Sequence, residues 1–225
     1  MAKQLRSGLI DPHDVPPEDL NQYMATTYGG YYRSLQQRLY FAQSLVDNPP
    51  PYGTTELIIE SVALQLRMCA ELIANSVSAF NQVQLGKPHP KKRQKEYRIK
   101  DVLRDIPDNL WPLPIDPDAQ EIVPDRANDL EHVLVSILAS KNDLNSLHGD
   151  LGNLLHEKQR PRNQRLPVYD QVLRMIRPFR IFADRHMIYA ENGQGWYIDS
   201  RAEFGSPADR ETLVQILGIK GAQKQ

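Results

Sequence analysis

The side chains best suited to chemistry fall on two helical stretches. In the first, at 100° per residue, Glu56, Glu60, Arg67, Glu71, Asn75 and Ser78 line up on one face. One cation held between acids can be a solvated outer face with i,i+4 pairs. It can also be a polar site in which Arg67 stabilises an anion and Glu71 orients a proton-transfer group. In the second, KNDLNSLHGDLGNLLHE, His148 and His156 share a narrow arc with Asn145, Gly149 and Gly152. Either histidine could act as a general acid–base, or the two could sit at the margin of a tight helix crossing that the glycines permit. They are eight residues apart, about 12 Å at 1.5 Å per residue, too far to share a metal ion.

Two basic stretches form a second class of candidate. Lys87, Lys91, Lys92, Arg93, Lys95, Arg98 and Lys100 stand with a single acid, Glu96, and Lys158, Arg160, Arg162 and Arg165 stand with none. The segments carry +6 and +4, so the rest of a chain whose net charge is −1 carries −11. Each follows a helix C-terminus, where cations are favoured, but they outnumber what capping requires. Tyr97 is the one aromatic among them, so phosphate contact is a better reading than base stacking. A solvated loop is the plainer alternative.

The elements that must position these groups are mostly helical. Helices are expected over about 18–46, with Gly29-Gly30 a potential break, and over about 54–82. Others are expected over 126–139, over 141–157 with Ser140 and Asp143 as a capping pair, and over 168–177, where Pro178 should end the helix. Residues 187–191 and 195–199 flank Asn192-Gly193, a hairpin signal. A short helix over 207–217 follows. Prolines from Pro107 to Pro124 point to an extended stretch that Trp111 pins to the body. The expected fold is mainly α: a bundle of about five helices over 1–180, with a β-hairpin and short terminal helix over 181–225 appended to the same domain.

Composition limits the alternatives. At 225 residues, 40% hydrophobic and 24% charged, the chain can bury a real core. Its one cysteine, Cys69, falls on the apolar stripe Ile58, Val62, Leu66, Cys69, Ile73, Val77 and Phe80 and reads as core. No apolar run approaches the ~20 residues of a membrane span, and the first residues lack the apolar segment of a secretory signal. A cytoplasmic protein is expected. No GxGxxG, GxxxxGK[ST] or HExxH occurs, so neither cofactor nor metal is expected.

The segments ESVALQLRMCAELIA and LHGDLGNLLHE resemble helical proteins of the HEPN-like superfamily, over roughly residues 54–157. The resemblance implies an all-α homodimer in a bacterial stress or defence setting, such as a toxin–antitoxin pair. In that superfamily an Arg and a His pair across protomers to cleave RNA without metal, a ribose 2′-hydroxyl attacking its adjacent phosphate. Carried over, the His is His156. The expected Arg should precede it by five to seven positions, where Gly149, Asp150 and Leu151 stand instead. Arg67 could supply the cation. Of the formal pairs Arg6/His13, Arg126/His132 and Arg180/His186, only Arg126/His132 opens a predicted helix. A non-catalytic helical module that docks a protein or nucleic acid through its basic loops is the rival reading.

Overall fold

The structure, a computed structural model, describes residues 20–84, 98–115, 138–156, 166–189 and 195–199. Among these the chain is mainly helical, with five α-helices and a small antiparallel sheet.

Helix α1, Leu20–Asp47, buries Tyr28, Tyr32, Leu35, Leu39 and Ala42, a stripe at alternating spacings of four and three. Gly29-Gly30 does not break it, contrary to the expected interruption. Burial of the stripe on either side outweighs the ~1 kcal/mol that each glycine costs a helix.

After a Pro49–Pro51 turn, Thr54 Oγ1 accepts the Leu57 amide at 3.3 Å and caps α2, Thr55–Gln84. This helix is central, packing against α1, α3, α4 and α5. Val62, Leu66, Cys69, Ile73 and Val77 of its apolar stripe are fully buried, whereas Leu57 and Leu64, beside the polar stripe, are about half exposed at 53% and 46%.

Helix α3, Ile99–Arg104, is short and was not apparent from periodicity. A 3₁₀ turn at Asp108–Leu110 follows, and then β1, Leu113–Pro114. Trp111 does pin this stretch: it is buried and its Nε1 donates to the Leu138 carbonyl at 2.9 Å. Leu138 has φ 56°, a left-handed conformation that costs an L side chain about 1–2 kcal/mol. Its buried side chain and the Trp111 bond hold it there.

Helix α4, Lys141–His156, starts as the capping pair requires: the Asp143 amide donates to Ser140 Oγ at 3.2 Å and the Ser140 amide to Asp143 Oδ2 at 3.0 Å. Helix α5, Leu166–Asp184, corrects another expectation by running through Pro178. Proline removes one amide from the ladder. The helix continues because Phe179, Phe182 and Ala183, all beyond Pro178, are core residues.

Strands β2, Arg185–Tyr189, and β3, Gly195–Asp199, form the expected hairpin, with His186 opposite Ile198 and Met187 opposite Tyr197. The sheet has a third member. β1 pairs with β2, placing Leu113 opposite Met187 and Pro114 opposite His186. β1 is an edge strand, where proline is tolerated. Ile188 and Ile198 join the same core as the helices. The expected helices over 126–139 and 207–217 and the Asn192-Gly193 turn lie outside the described residues.

Candidate functional site

The crossing of α2 and α4 brings together three of the four residues singled out for catalysis. Arg67 and Glu71 are one turn apart on α2, and His148 faces them from α4. Arg67 Nε lies 3.3 Å from His148 Nε2. The same ring nitrogen lies 3.2 Å from Glu71 Oε1, and Arg67 Nε lies 3.7 Å from that oxygen. The side chains are 31%, 35% and 15% exposed for Arg67, Glu71 and His148, so the cluster is neither a solvated face nor sealed core. Leu144 and Leu151 bury the apolar side of α4 and so fix which way His148 faces.

The polar stripe of α2 therefore changes character along its length. Glu60 is exposed, Arg67 and Glu71 are half-buried, and Ser78 is buried. The stripe is not a uniformly solvated face, because α4 covers its middle.

Gly152 is part of this geometry. A Cβ there would lie in van der Waals contact with Arg67 Nη1 at 3.4 Å, so the guanidinium lies against the α4 backbone at this position. Gly149 plays no such part; a Cβ there would meet nothing within 4 Å.

The electrostatics centre on Glu71. The His148 hydrogen bond is the largest influence holding its carboxyl below the ordinary carboxylate range, with the charges of Arg67 and Arg38 adding to it and partial burial opposing. Arg38 comes from α1 and was not foreseen as a site residue. Its Nη1 donates to Gln65 Oε1 at 2.9 Å and contacts Met68 Sδ at 3.0 Å.

The remaining candidates divide simply. His156 is the last residue of α4, and its side chain lies outside the described atoms, as do Lys87, Lys91, Lys92, Arg93, Lys95, Lys158, Arg160, Arg162 and Arg165. Arg98 is described, exposed at the start of α3. Arg126/His132 and Arg6/His13 also lie outside. Arg180 is exposed whereas His186 is fully buried, so these two form no common surface site.

His186 is instead the centre of a buried polar network that periodicity did not suggest. Tyr28 Oη lies 2.8 Å from its Nε2 and Tyr32 Oη 2.8 Å from its Nδ1. Tyr32 Oη donates to the Phe182 carbonyl at 3.1 Å. With its proton on the Phe182 carbonyl, Tyr32 is placed to accept from Nδ1–H and Tyr28 to donate to Nε2. Phe182 stacks on the imidazole with ring centroids 5.0 Å apart. Burial pushes the His186 pKa down to about 3, with a bond to the Phe182 carbonyl opposing. The ring is neutral and structural. The signal in the sequence was Tyr28 and Tyr32 at i,i+4 within the buried stripe of α1.

Among the described residues, no group of three His, Cys, Asp or Glu side chains is placed to hold a metal ion, and no helix is long and apolar enough to cross a membrane. Cys69 is buried, and desolvation pushes its thiol up to about 12. No family model, curated protein or solved structure matches the chain.

Proposed function

We propose that this chain is a HEPN-like helical protein that binds and cleaves RNA. The Arg67–Glu71–His148 cluster, 3.2–3.7 Å between its reacting atoms, is the observation that carries the reading. Arg67 supplies the cation that the resemblance asks for, and it stands beside His148 rather than His156. In this reading a ribose 2′-hydroxyl attacks the adjacent phosphorus and the bond to the 5′ oxygen breaks, leaving a cyclic phosphate and a 5′-hydroxyl. His148 moves the proton and Arg67 stabilises the charge on the five-coordinate phosphorus. Before RNA binds, Glu71 holds the ring in place by accepting from Nε2–H. The basic stretches at 87–98 and 158–165 hold the RNA backbone. A homodimer, a bacterial defence or toxin–antitoxin role and a cytoplasmic setting belong to the proposal through the resemblance alone.

A second reading has its own observation. Arg67 packed over Gly152, with His148 of α4 bonded to Arg67 and Glu71 of α2, is also how a polar contact locks two helices in register. On that reading the chain is a non-catalytic module that docks an RNA or protein partner through its basic loops.

One pair of measurements separates them. His148→Ala and Arg67→Gln are assayed for cleavage of single-stranded RNA and for thermal unfolding. The enzyme reading expects a loss of at least about 10²-fold in rate with little change in Tm. A lowered Tm, with no cleavage by the parent protein, leaves the docking module. For binding, replacing Lys91, Lys92, Arg93 and Lys95 by Ala should remove most RNA affinity. The parent should show a salt slope near −3, from about −0.7 for each of about four phosphates on a single strand.

A further inference from the structure

Glu71 Oε1 occupies a particular position. His148 Nε2 of α4 lies 3.2 Å from it, and the Arg67 guanidinium of α2 pairs with it by charge at 3.7 Å while its Nε–H is directed at His148 Nε2 at 3.3 Å. Both ends of this arrangement are partly open to water. A guanidinium and an imidazole N–H directed at one anionic oxygen is also how proteins hold a phosphate oxygen. The surroundings suit a larger anion. Gly152 leaves the α4 backbone bare beneath the Arg67 guanidinium. Arg38 adds a second guanidinium from α1, anchored on Gln65 and on Met68, which lies one turn before Glu71. The Arg38 charge is near enough to help lower the pKa of the Glu71 carboxyl, and three helices contribute.

We infer that Arg67 and His148, with Arg38 at the rim, form a site for the oxyanion of a phosphate ester, and that the Glu71 carboxylate fills that site as an internal stand-in until phosphate displaces it. The inference rests on the same cluster as the proposed function and narrows its ligand to the phosphate group. Glu71 is a flexible side chain on a helix face, so it can turn to solvent when displaced. His148 Nε2–H and the Arg67 guanidinium then point at the incoming oxygens. Because Glu71 competes with phosphate, it lowers affinity for it. A residue that merely helped to build the site would raise that affinity.

The test is titration of the full chain with inorganic phosphate, followed calorimetrically, for the parent, Glu71→Gln, and Glu71→Gln combined with Arg67→Gln. Removing a unit charge about 4 Å from the bound anion should tighten phosphate by about fivefold or more, and the added Arg67→Gln should abolish the gain. Phosphate affinity in Glu71→Gln equal to or below that of the parent, with helicity intact by circular dichroism, overturns the inference. Should Glu71→Gln fail to fold, NMR of the parent decides. Phosphate must shift the Arg67 Nε–H resonance and return the Glu71 carboxyl toward its ordinary titration, and no shift on either overturns the inference. The RNA reading fails separately. A gain of phosphate affinity in Glu71→Gln without any RNA binding or cleavage keeps the oxyanion site and removes the ribonuclease.

Discussion

His148 Nε2 lies 3.2 Å from Glu71 Oε1 while the same nitrogen lies 3.3 Å from Arg67 Nε. A ring nitrogen has one in-plane position, so it can donate to the carboxylate or accept from the guanidinium, not both. Donation to Glu71 is the better arrangement. It satisfies an anion with an N–H, and Arg67, whose Nε–H is directed at the same ring nitrogen, pairs with the carboxylate by charge at 3.7 Å. The alternative tautomer would set a nitrogen lone pair against a carboxylate oxygen.

That assignment has a measurable consequence. The His148 bond is the leading cause of the lowered Glu71 pKa. His148→Ala should therefore move the Glu71 titration up toward the ordinary carboxylate range, followed by carboxyl ¹³C NMR. Arg67→Gln should move it in the same direction by less. An unchanged Glu71 titration in His148→Ala would show that the hydrogen bond does not persist in solution.

The buried imidazole makes acid sensitivity predictable. The ordinary histidine value is 6.5 and burial lowers that of His186 to about 3. The unfolded chain therefore binds the proton that the folded chain refuses. The contribution to stability is complete above pH 6.5 and is lost progressively as pH falls toward 3, by about 1.4 kcal/mol per pH unit. Denaturant unfolding of the parent and of His186→Phe across pH 7 to 4.5 should show the parent losing this much more. At pH 7 the variant should be less stable by about 1–3 kcal/mol, because two tyrosine hydroxyls lose their imidazole partner.

The two glycines of α4 should behave differently. Gly149→Ala meets open space and should stabilise the protein by about 1 kcal/mol through helix propensity. Gly152→Ala gains the same propensity and adds a van der Waals contact with Arg67 Nη1 at 3.4 Å, so it should be tolerated, whereas Gly152→Leu should displace the guanidinium and shift the Glu71 titration. Thermal unfolding of the variants, with the NMR titration, makes the comparison. An unmoved Glu71 in Gly152→Leu would mean that Arg67 does not lie over Gly152.

The α4 cap gives a simpler expectation. Ser140→Ala removes the acceptor for the Asp143 amide and should cost about 1 kcal/mol in equilibrium unfolding.

Much of the architecture was legible because helices announce themselves by period and cap. The stripe from Val62 to Val77 and the Ser140–Asp143 pair were readable one residue at a time. The errors came where tertiary burial overrode a local rule, at Gly29-Gly30 and at Pro178. The site was half legible. Arc positions on two separate helices picked out Arg67, Glu71 and His148, but a single helix wheel cannot say which histidine lies level with Arg67, and that depends on how far α4 slides along α2. Arg38 was hidden for a related reason, since its charge acts on Glu71 from a third helix. The His186 network was invisible because it joins residues more than 150 positions apart, as Tyr28 and His186 are at 158. Nothing local marks such a pair.

That separation also orders events during synthesis. Tyr28 and Tyr32 belong to the first described helix, and their hydrogen-bond partner lies in β2. While the ribosome is still making the intervening helices, α1 and α2 can already associate as an antiparallel pair. Phe80 of α2 can then cover part of the aromatic face of α1, its ring 6.0 Å from that of Tyr28. The side of Tyr32 and Tyr28 that meets the imidazole nevertheless stays open until α5 and residue 186 have emerged. The nascent chain thus carries a half-covered aromatic face for most of its translation, and its core can lock only after its last described strands have emerged.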